Sequence, residues 1–128
     1  MTGVQRDRLV LVVDDDETVR RVVRHVLEVD HFDVVEAASG HEALEAVASN
    51  RPVVIVLDVV MPGLDGIEVC RQLDHAEVKV LMLTARGDDA TIEAASLEAG
   101  ADDFLGKPFS SLQLLAKVRD YVPDALGG

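Results

Sequence analysis

Three consecutive acids, Asp14, Asp15 and Asp16, follow directly on an apolar stretch, and a fourth, Asp58, closes a second such stretch. Thr84 ends a third apolar stretch, and Lys107-Pro108 comes shortly after a short run at 103–106. Crowded carboxylates repel one another and resist ionisation unless a cation lies between them, so acids from neighbouring strand ends point to a hard divalent ion. Mg²⁺ suits such a site because it prefers oxygen ligands and keeps several waters, and only a few protein carboxylates are needed beside phosphate oxygens. Lys107 would add a second positive charge and Thr84 a hydroxyl donor for a phosphoryl group carried on one of the acids. Phosphoryl transfer to an aspartate needs in-line positioning and neutralised oxygens more than a strong base.

Plainer readings apply to the same residues one at a time. Asp14-Asp15-Asp16-Glu17 can serve as the N-cap and first turn of a helix, where negative charge meets the helix dipole, and Asp16 is assigned to that task. Met61-Pro62-Gly63-Leu64-Asp65-Gly66 reads as a turn whose Asp65 caps the next helix. An isolated strand-end Thr or exposed Lys is more often structural than chemical, so Thr84 and Lys107 gain weight only from the set.

The elements that must position these residues follow from apolar spacing. Leu9–Val13, Val53–Leu57 and Val80–Leu83 are unbroken Val, Ile and Leu runs, the pattern of strands covered on both faces and hence usually parallel. Asp33–Ala37 and Asp103–Gly106 are weaker strands. Val19, Val22, Val23, Val26 and Leu27 form a helical stripe, and further helices are expected at Gly40–Ser49, Gly66–Leu73, Asp88–Ala99 and Ser110–Val122. Five strands alternating with five helices predict an α/β domain with a doubly wound parallel sheet. The flavodoxin-like order 2-1-3-4-5 sets strands one and three side by side, and ligands bind beyond the carboxyl ends there. The expected division is a domain over residues 1–122 and a tail or linker stub over 123–128, which carries Pro123 and two glycines.

Composition narrows the function classes. With 24 acidic against 12 basic residues and a net charge of -12, the chain repels phosphate backbones and anionic lipid, so neither direct nucleic-acid nor membrane binding is expected. Aromatic residues are 3% of the chain and Trp is absent, which leaves little for a base-stacking surface. Cys70, the single cysteine, falls in an apolar helical pattern and is expected to pack as a small hydrophobe, as is Met82. No apolar run reaches the roughly 18 to 20 residues of a bilayer span, and residues 1–8 lack a signal-peptide core, so a cytoplasmic location is expected. His25, His31, His41 and His75 lie apart from the strand ends and are expected at the surface, not as phosphohistidine sites.

Four segments in order resemble the response regulator receiver family from Leu9 to Val122. Val13-Asp14-Asp15 is similar to its acidic pair and Leu57-Asp58-Val59-Val60-Met61-Pro62-Gly63-Leu64-Asp65-Gly66 to its phosphoacceptor segment. Leu83-Thr84-Ala85 is similar to its switch hydroxyl and Lys107-Pro108-Phe109 to its lysine segment. The resemblance implies that Asp58 is the phosphoacceptor, with Asp15 and Asp58 direct Mg²⁺ ligands, Asp14 a ligand through water and the Val60 carbonyl the remaining protein ligand. Lys107 contacts the phosphate. Thr84 and Phe104 are the implied switch pair, although Phe104 reads equally as core.

A receiver accepts a phosphoryl group from a sensor histidine kinase or a histidine phosphotransfer protein and catalyses its own modification without a turnover substrate. Its responsive surface is the fourth helix, fifth strand and fifth helix. Arg86, Asp102-Asp103, Lys117 and Arg119 further resemble receivers of winged-helix transcription factors that form homodimers through that surface. Glu93 departs from the pattern, and a phosphorylation-dependent homodimer is left open. A competing resemblance is to Mg²⁺-dependent phosphohydrolases of the haloacid-dehalogenase type, with Asp14-x-Asp16-x-Thr18 as nucleophile motif and Asp14 as nucleophile. That reading leaves Asp58 unexplained and expects a lysine before the late acidic pair, where Lys107 instead follows Asp102-Asp103.

Overall fold

The computed structural model describes residues 8–85 and 88–122. Strands β1 (Leu9–Val13), β2 (Asp33–Ala37), β3 (Val54–Asp58), β4 (Lys79–Thr84) and β5 (Asp103–Gly106) form one sheet in the order β2-β1-β3-β4-β5. All four pairings are parallel. The chain supplies the crossovers through α1 (Glu17–Val29), α2 (Gly40–Asn50), α3 (Gly66–Arg71), α4 (Ala90–Glu98) and α5 (Ser111–Tyr121). Fold class and strand order match the expectation.

Period-two alternation along the inner strands divides the core into two layers. Leu11, Val13, Ile55, Leu57, Val80 and Met82 pack with Ala43 of α2 and with Val69 and Cys70 of α3, while Ile92 of α4 lies against the same layer. Val10, Val12, Val54, Val56, Leu81 and Leu83 face Val23 and Leu27 of α1 and Leu114 and Val118 of α5. Each large apolar side chain so buried contributes about 1.5 to 3 kcal/mol, which is why these strands, apart from the exposed Lys79 that starts β4, carry no polar residue until their carboxyl ends. The outer strands β2 and β5 are half-buried and mix acids with apolar residues, which explains their weaker sequence signal.

Every helix begins on a side-chain cap: Asp16, Ser39, Asp65, Asp89 and Ser110 accept first-turn backbone N–H groups. Asp16 and Asp65 therefore do what the sequence suggests. Cys70 and Met82 are buried in the core. Two expectations need correction. Val22, a member of the α1 stripe, is 52% exposed, because the helix turns only Val23 and Leu27 fully into the core. His75 is not a surface residue: it is half-buried, its Nε2 donates to the Cys70 carbonyl at 2.7 Å, and Nδ1 is buried without a partner. Arg86 and the tail 123–128 lie outside the described residues.

Candidate functional site

Parallel strands that end at a common level deliver their next residues to one rim, and here the ends of β1, β3, β4 and β5 bring together Asp14, Asp58, Thr84 and Lys107. Asp14 extends the β1 ladder, its N–H donating to the Ala37 carbonyl at 3.2 Å. Its side chain is almost fully buried. Oδ1 accepts the Asp16 N–H at 2.9 Å and Oδ2 accepts Lys107 Nζ at 2.9 Å. Asp58, the last residue of β3, is 5% exposed. Its Oδ1 accepts the Val60 N–H at 3.3 Å and lies 3.6 Å from Lys107 Nζ. Asp15 points outward, yet Asp14, Asp15 and Asp58 each offer a carboxylate oxygen within 4.8 Å of the others.

The backbone around these groups is tightly set. Val59 N–H donates to the Leu83 carbonyl at 2.9 Å, and Lys107 N–H donates to the Thr84 carbonyl at 2.7 Å, so the β3, β4 and β5 ends are hydrogen-bonded to one another. The Lys107–Pro108 peptide bond is cis. α3 starts against the acceptor strand, Gly66 N–H reaching the Val59 carbonyl at 2.9 Å. A Cβ at Gly66 would run into the Asp58 carbonyl, so only glycine fits this position.

Electrostatics follows from that crowding. Burial and the Asp14 charge push the Asp58 carboxyl from its usual 3.8 up to about 6, against the pull of Lys107 and the Val60 N–H. Burial works to lower the Lys107 ammonium, but the Asp14 hydrogen bond and the Asp58 charge outweigh it and raise the group. One lysine thus serves two buried carboxylates, with the exposed Asp15 carboxylate beside them, a donor set short of positive charge and built wholly of oxygen. That set fits a hard divalent cation.

Thr84 is buried at the end of β4. Phe104 is half-buried, sits opposite Met82 in the β4–β5 register, and packs on the layer that Met82 shares with Ile92. Thr84 pairs with Gly106 two positions along, so Thr84 and Phe104 lie on one face of the sheet near its edge. Val60 is 62% exposed beside the carboxylates.

The acidic and basic residues of the outer edge pair within the chain. Lys117 Nζ is 2.6 Å from Asp103 and Lys79 Nζ is 3.8 Å from Asp102, which also accepts the Val80 N–H at 2.8 Å. Arg119 makes two bonds to Asp30, at 2.7 and 2.8 Å, which hold that carboxyl below its usual range. Asp102 and Asp103 stand at the amino end of β5, the opposite end of the sheet from Asp14. A phosphohydrolase built on Asp14 needs its late acids beside the nucleophile, and this placement weighs against it.

Sequence reasoning does not reach Arg20 and Glu36. Arg20 Nη1 donates to the Asp14 carbonyl at 2.8 Å and Nε to Glu36 at 2.8 Å. The β1–β2 register and the seat of α1 against β2 bring them together.

The family model for the response regulator receiver domain matches residues 10–119. The chain is 50% identical over 112 residues to the response regulator MprA of Mycolicibacterium vanbaalenii, an overlap of 86% of this chain and 48% of that protein. It is 51% identical, over the same shares, to MprA of Mycobacterium ulcerans. The chain thus spans about half the length of the curated relatives it matches. Among solved structures, the chemotaxis protein CheY4 of Vibrio cholerae superposes with a TM-score of 0.82 at 32% identity, covering 89% of this chain and 98% of that one. A putative response regulator of Chloroflexus aurantiacus gives 0.82 at 39% identity, covering 89% and 96%.

Proposed function

The chain belongs to the response regulator receiver family of two-component signalling, and from that premise we propose that Asp58 accepts a phosphoryl group from a phosphohistidine donor with Mg²⁺ bound at the rim. The observation that carries this reading is the convergence of three carboxylates and a single lysine, with Asp58 the acid that faces both Asp14 and Lys107. Asp15 and Asp58 would hold the metal directly, Asp14 through water and Val60 by its backbone carbonyl. Bound there, Mg²⁺ would neutralise the crowded carboxylates and the charge on the transferring phosphoryl oxygens.

In the transfer, a carboxylate oxygen of Asp58 forms a bond to phosphorus while the bond from phosphorus to the donor imidazole nitrogen breaks, the nitrogen keeping the electron pair. Lys107, already placed 3.6 Å from Asp58, moves its charge onto the new phosphate, which adds the acceptor oxygens Asp58 lacks. Val60, apolar and exposed, gives water approaching from that side no acid or amide to orient it. The acyl phosphate is therefore long-lived.

The Thr84 hydroxyl then turns toward the phosphate, and Phe104 moves further into the layer it already touches, changing the face made by α4, β5 and α5. One charge-assisted hydrogen bond of about 1.5 to 3 kcal/mol shifts a nearly balanced pair of states roughly tenfold or more. A homodimer on that face would require Lys117 and Asp103 to exchange their 2.6 Å internal pair for one across the interface. The donor is a sensor histidine kinase or a histidine phosphotransfer protein. A groove beside Lys107, bordered by Thr18, Val19, Val22, Pro108 and Phe109, offers apolar surface for a partner presenting its histidine. No helix among the described residues is long and apolar enough to cross a membrane, and a cytoplasmic setting suits the proposed donor. The domain acts as a signal acceptor over residues 1–122, with 123–128 as a tail or a linker stub.

Acetyl phosphate with Mg²⁺ tests the reading. Labelling is expected in wild type and lost in Asp58→Asn or on adding a chelator. Labelling that persists in Asp58→Asn would overturn it.

A further inference from the structure

The turn that carries Asp14 and Asp15 is braced from behind by a group that phosphoryl transfer does not itself use. Arg20, one turn into α1, donates from Nη1 to the Asp14 carbonyl at 2.8 Å and from Nε to Glu36 Oε1 at 2.8 Å. Glu36 lies on β2 opposite Val12 and so projects to the α1 side of the sheet. Its other oxygen takes Arg24 Nη1 at 2.6 Å, and Arg24 Nε is held in turn by Glu28 at 3.1 Å. Arg20 is only 15% exposed and Glu36 25%, so the pair is partly desolvated and its geometry restrained. The Arg24 hydrogen bond, joined by that of Arg20, holds the Glu36 carboxyl below its usual range despite burial.

Every polar group of Asp14 has a partner: the N–H on Ala37, the two carboxylate oxygens on Asp16 N–H and Lys107, and the carbonyl on Arg20. The Arg20 bond is the side-chain link from the Asp14 carbonyl to the following helix and, through Glu36, a second tie to the edge strand beside the Asp14 N–H bond to Ala37. A guanidinium suits the task because it donates in two fixed directions at once, which an ammonium on a flexible stem does not.

We propose that Arg20, strutted by Glu36, is a positioning residue that sets the Asp14–Asp16 turn in the orientation its carboxylates need to hold the cation. This rests on the reading that Asp14 and Asp15 serve Mg²⁺. Charge and geometry act in opposite directions here, which separates the two. A guanidinium near a cation site repels the cation, so an Arg20 acting through charge alone would, when removed, leave Mg²⁺ binding tighter. An Arg20 acting through position leaves it weaker.

The test is a Mg²⁺ titration of the full chain followed by amide chemical shifts, in wild type, Arg20→Ala, Arg20→Lys and Glu36→Gln. Arg20→Ala is expected to bind Mg²⁺ about tenfold more weakly than wild type, the usual loss when an outer partner of a ligand is removed. Arg20→Lys keeps the charge and is expected to recover only part of that loss, while Glu36→Gln shows a smaller loss in the same direction. Should Arg20→Ala not fold, Arg20→Lys, which holds the charge fixed, carries the comparison. Wild-type or tighter affinity in the folded variants, with wild type binding normally, would overturn the positioning role alone. Absence of Mg²⁺ binding in wild type would overturn the metal reading and this inference with it.

Discussion

Replacing Asp58 with Asn is expected to stabilise the metal-free domain at pH 7, although it removes the residue on which the proposed chemistry depends. Burial and the Asp14 charge lift the Asp58 carboxyl from 3.8 to about 6, so folding favours its protonated form. A group raised in this way contributes stability that is complete below its unfolded value and lost as pH rises through its folded one. At pH 7 the ionised carboxylate therefore costs the fold up to about 3 kcal/mol, the free-energy equivalent of that rise. Asn has nearly the same shape, and its Oδ1 can keep the Val60 N–H bond, while Lys107 retains Asp14 at 2.9 Å. Burying the amide returns part of the gain, so a net stabilisation of about 1 to 3 kcal/mol is expected. Urea unfolding followed by far-ultraviolet circular dichroism is the suitable assay, because the chain has no Trp. In chelator the variant's advantage is expected near pH 7 and should shrink toward zero by pH 4. Added Mg²⁺ should raise wild type more than the variant, since only wild type keeps the full ligand set. An Asn variant no more stable than wild type at pH 7 in chelator would refute the reasoning.

Other substitutions probe separate steps. Thr84→Ala is expected to accept phosphate on Asp58 yet respond weakly: beryllofluoride should shift the α4 and Phe104 resonances less than in wild type, and equal shifts would sink the coupling. Val60→Asn or Val60→Glu is expected to change the decay of the acyl phosphate in single-turnover measurements, the exposed side chain standing beside the acceptor, and identical decay in all three proteins would remove that argument. Gly66→Ala forces a methyl against the Asp58 carbonyl and is expected to destabilise the domain by about 1 to 3 kcal/mol in urea while slowing phosphorylation; wild-type stability would contradict the close approach.

Asp14, Asp58, Thr84 and Lys107 are legible in the sequence because each follows or ends a strand run, and parallel strands bring such ends to one rim. The inner strands read clearly since both faces are covered. β2 and β5 read faintly because edge strands carry polar residues. Arg20 and Glu36 are not legible: no local spacing joins them, and their meeting depends on the pairing of Val12 with Glu36 across β1 and β2. His75 is misread for a similar reason. Its partners, the Cys70 carbonyl and the close approach of Gly100, are set by how the loop before β4 folds back on α3 and the end of α4. Val22 fits a helical stripe by spacing, yet lies on its outer margin and stays exposed.

The most direct measurement is the site of the acyl phosphate. Protein treated with acetyl phosphate and Mg²⁺ would be reduced with borohydride, which converts an aspartyl phosphate to homoserine, and the modified residue located by mass spectrometry. The account predicts homoserine at position 58 alone; homoserine at position 14, or at any acid other than Asp58, would contradict it.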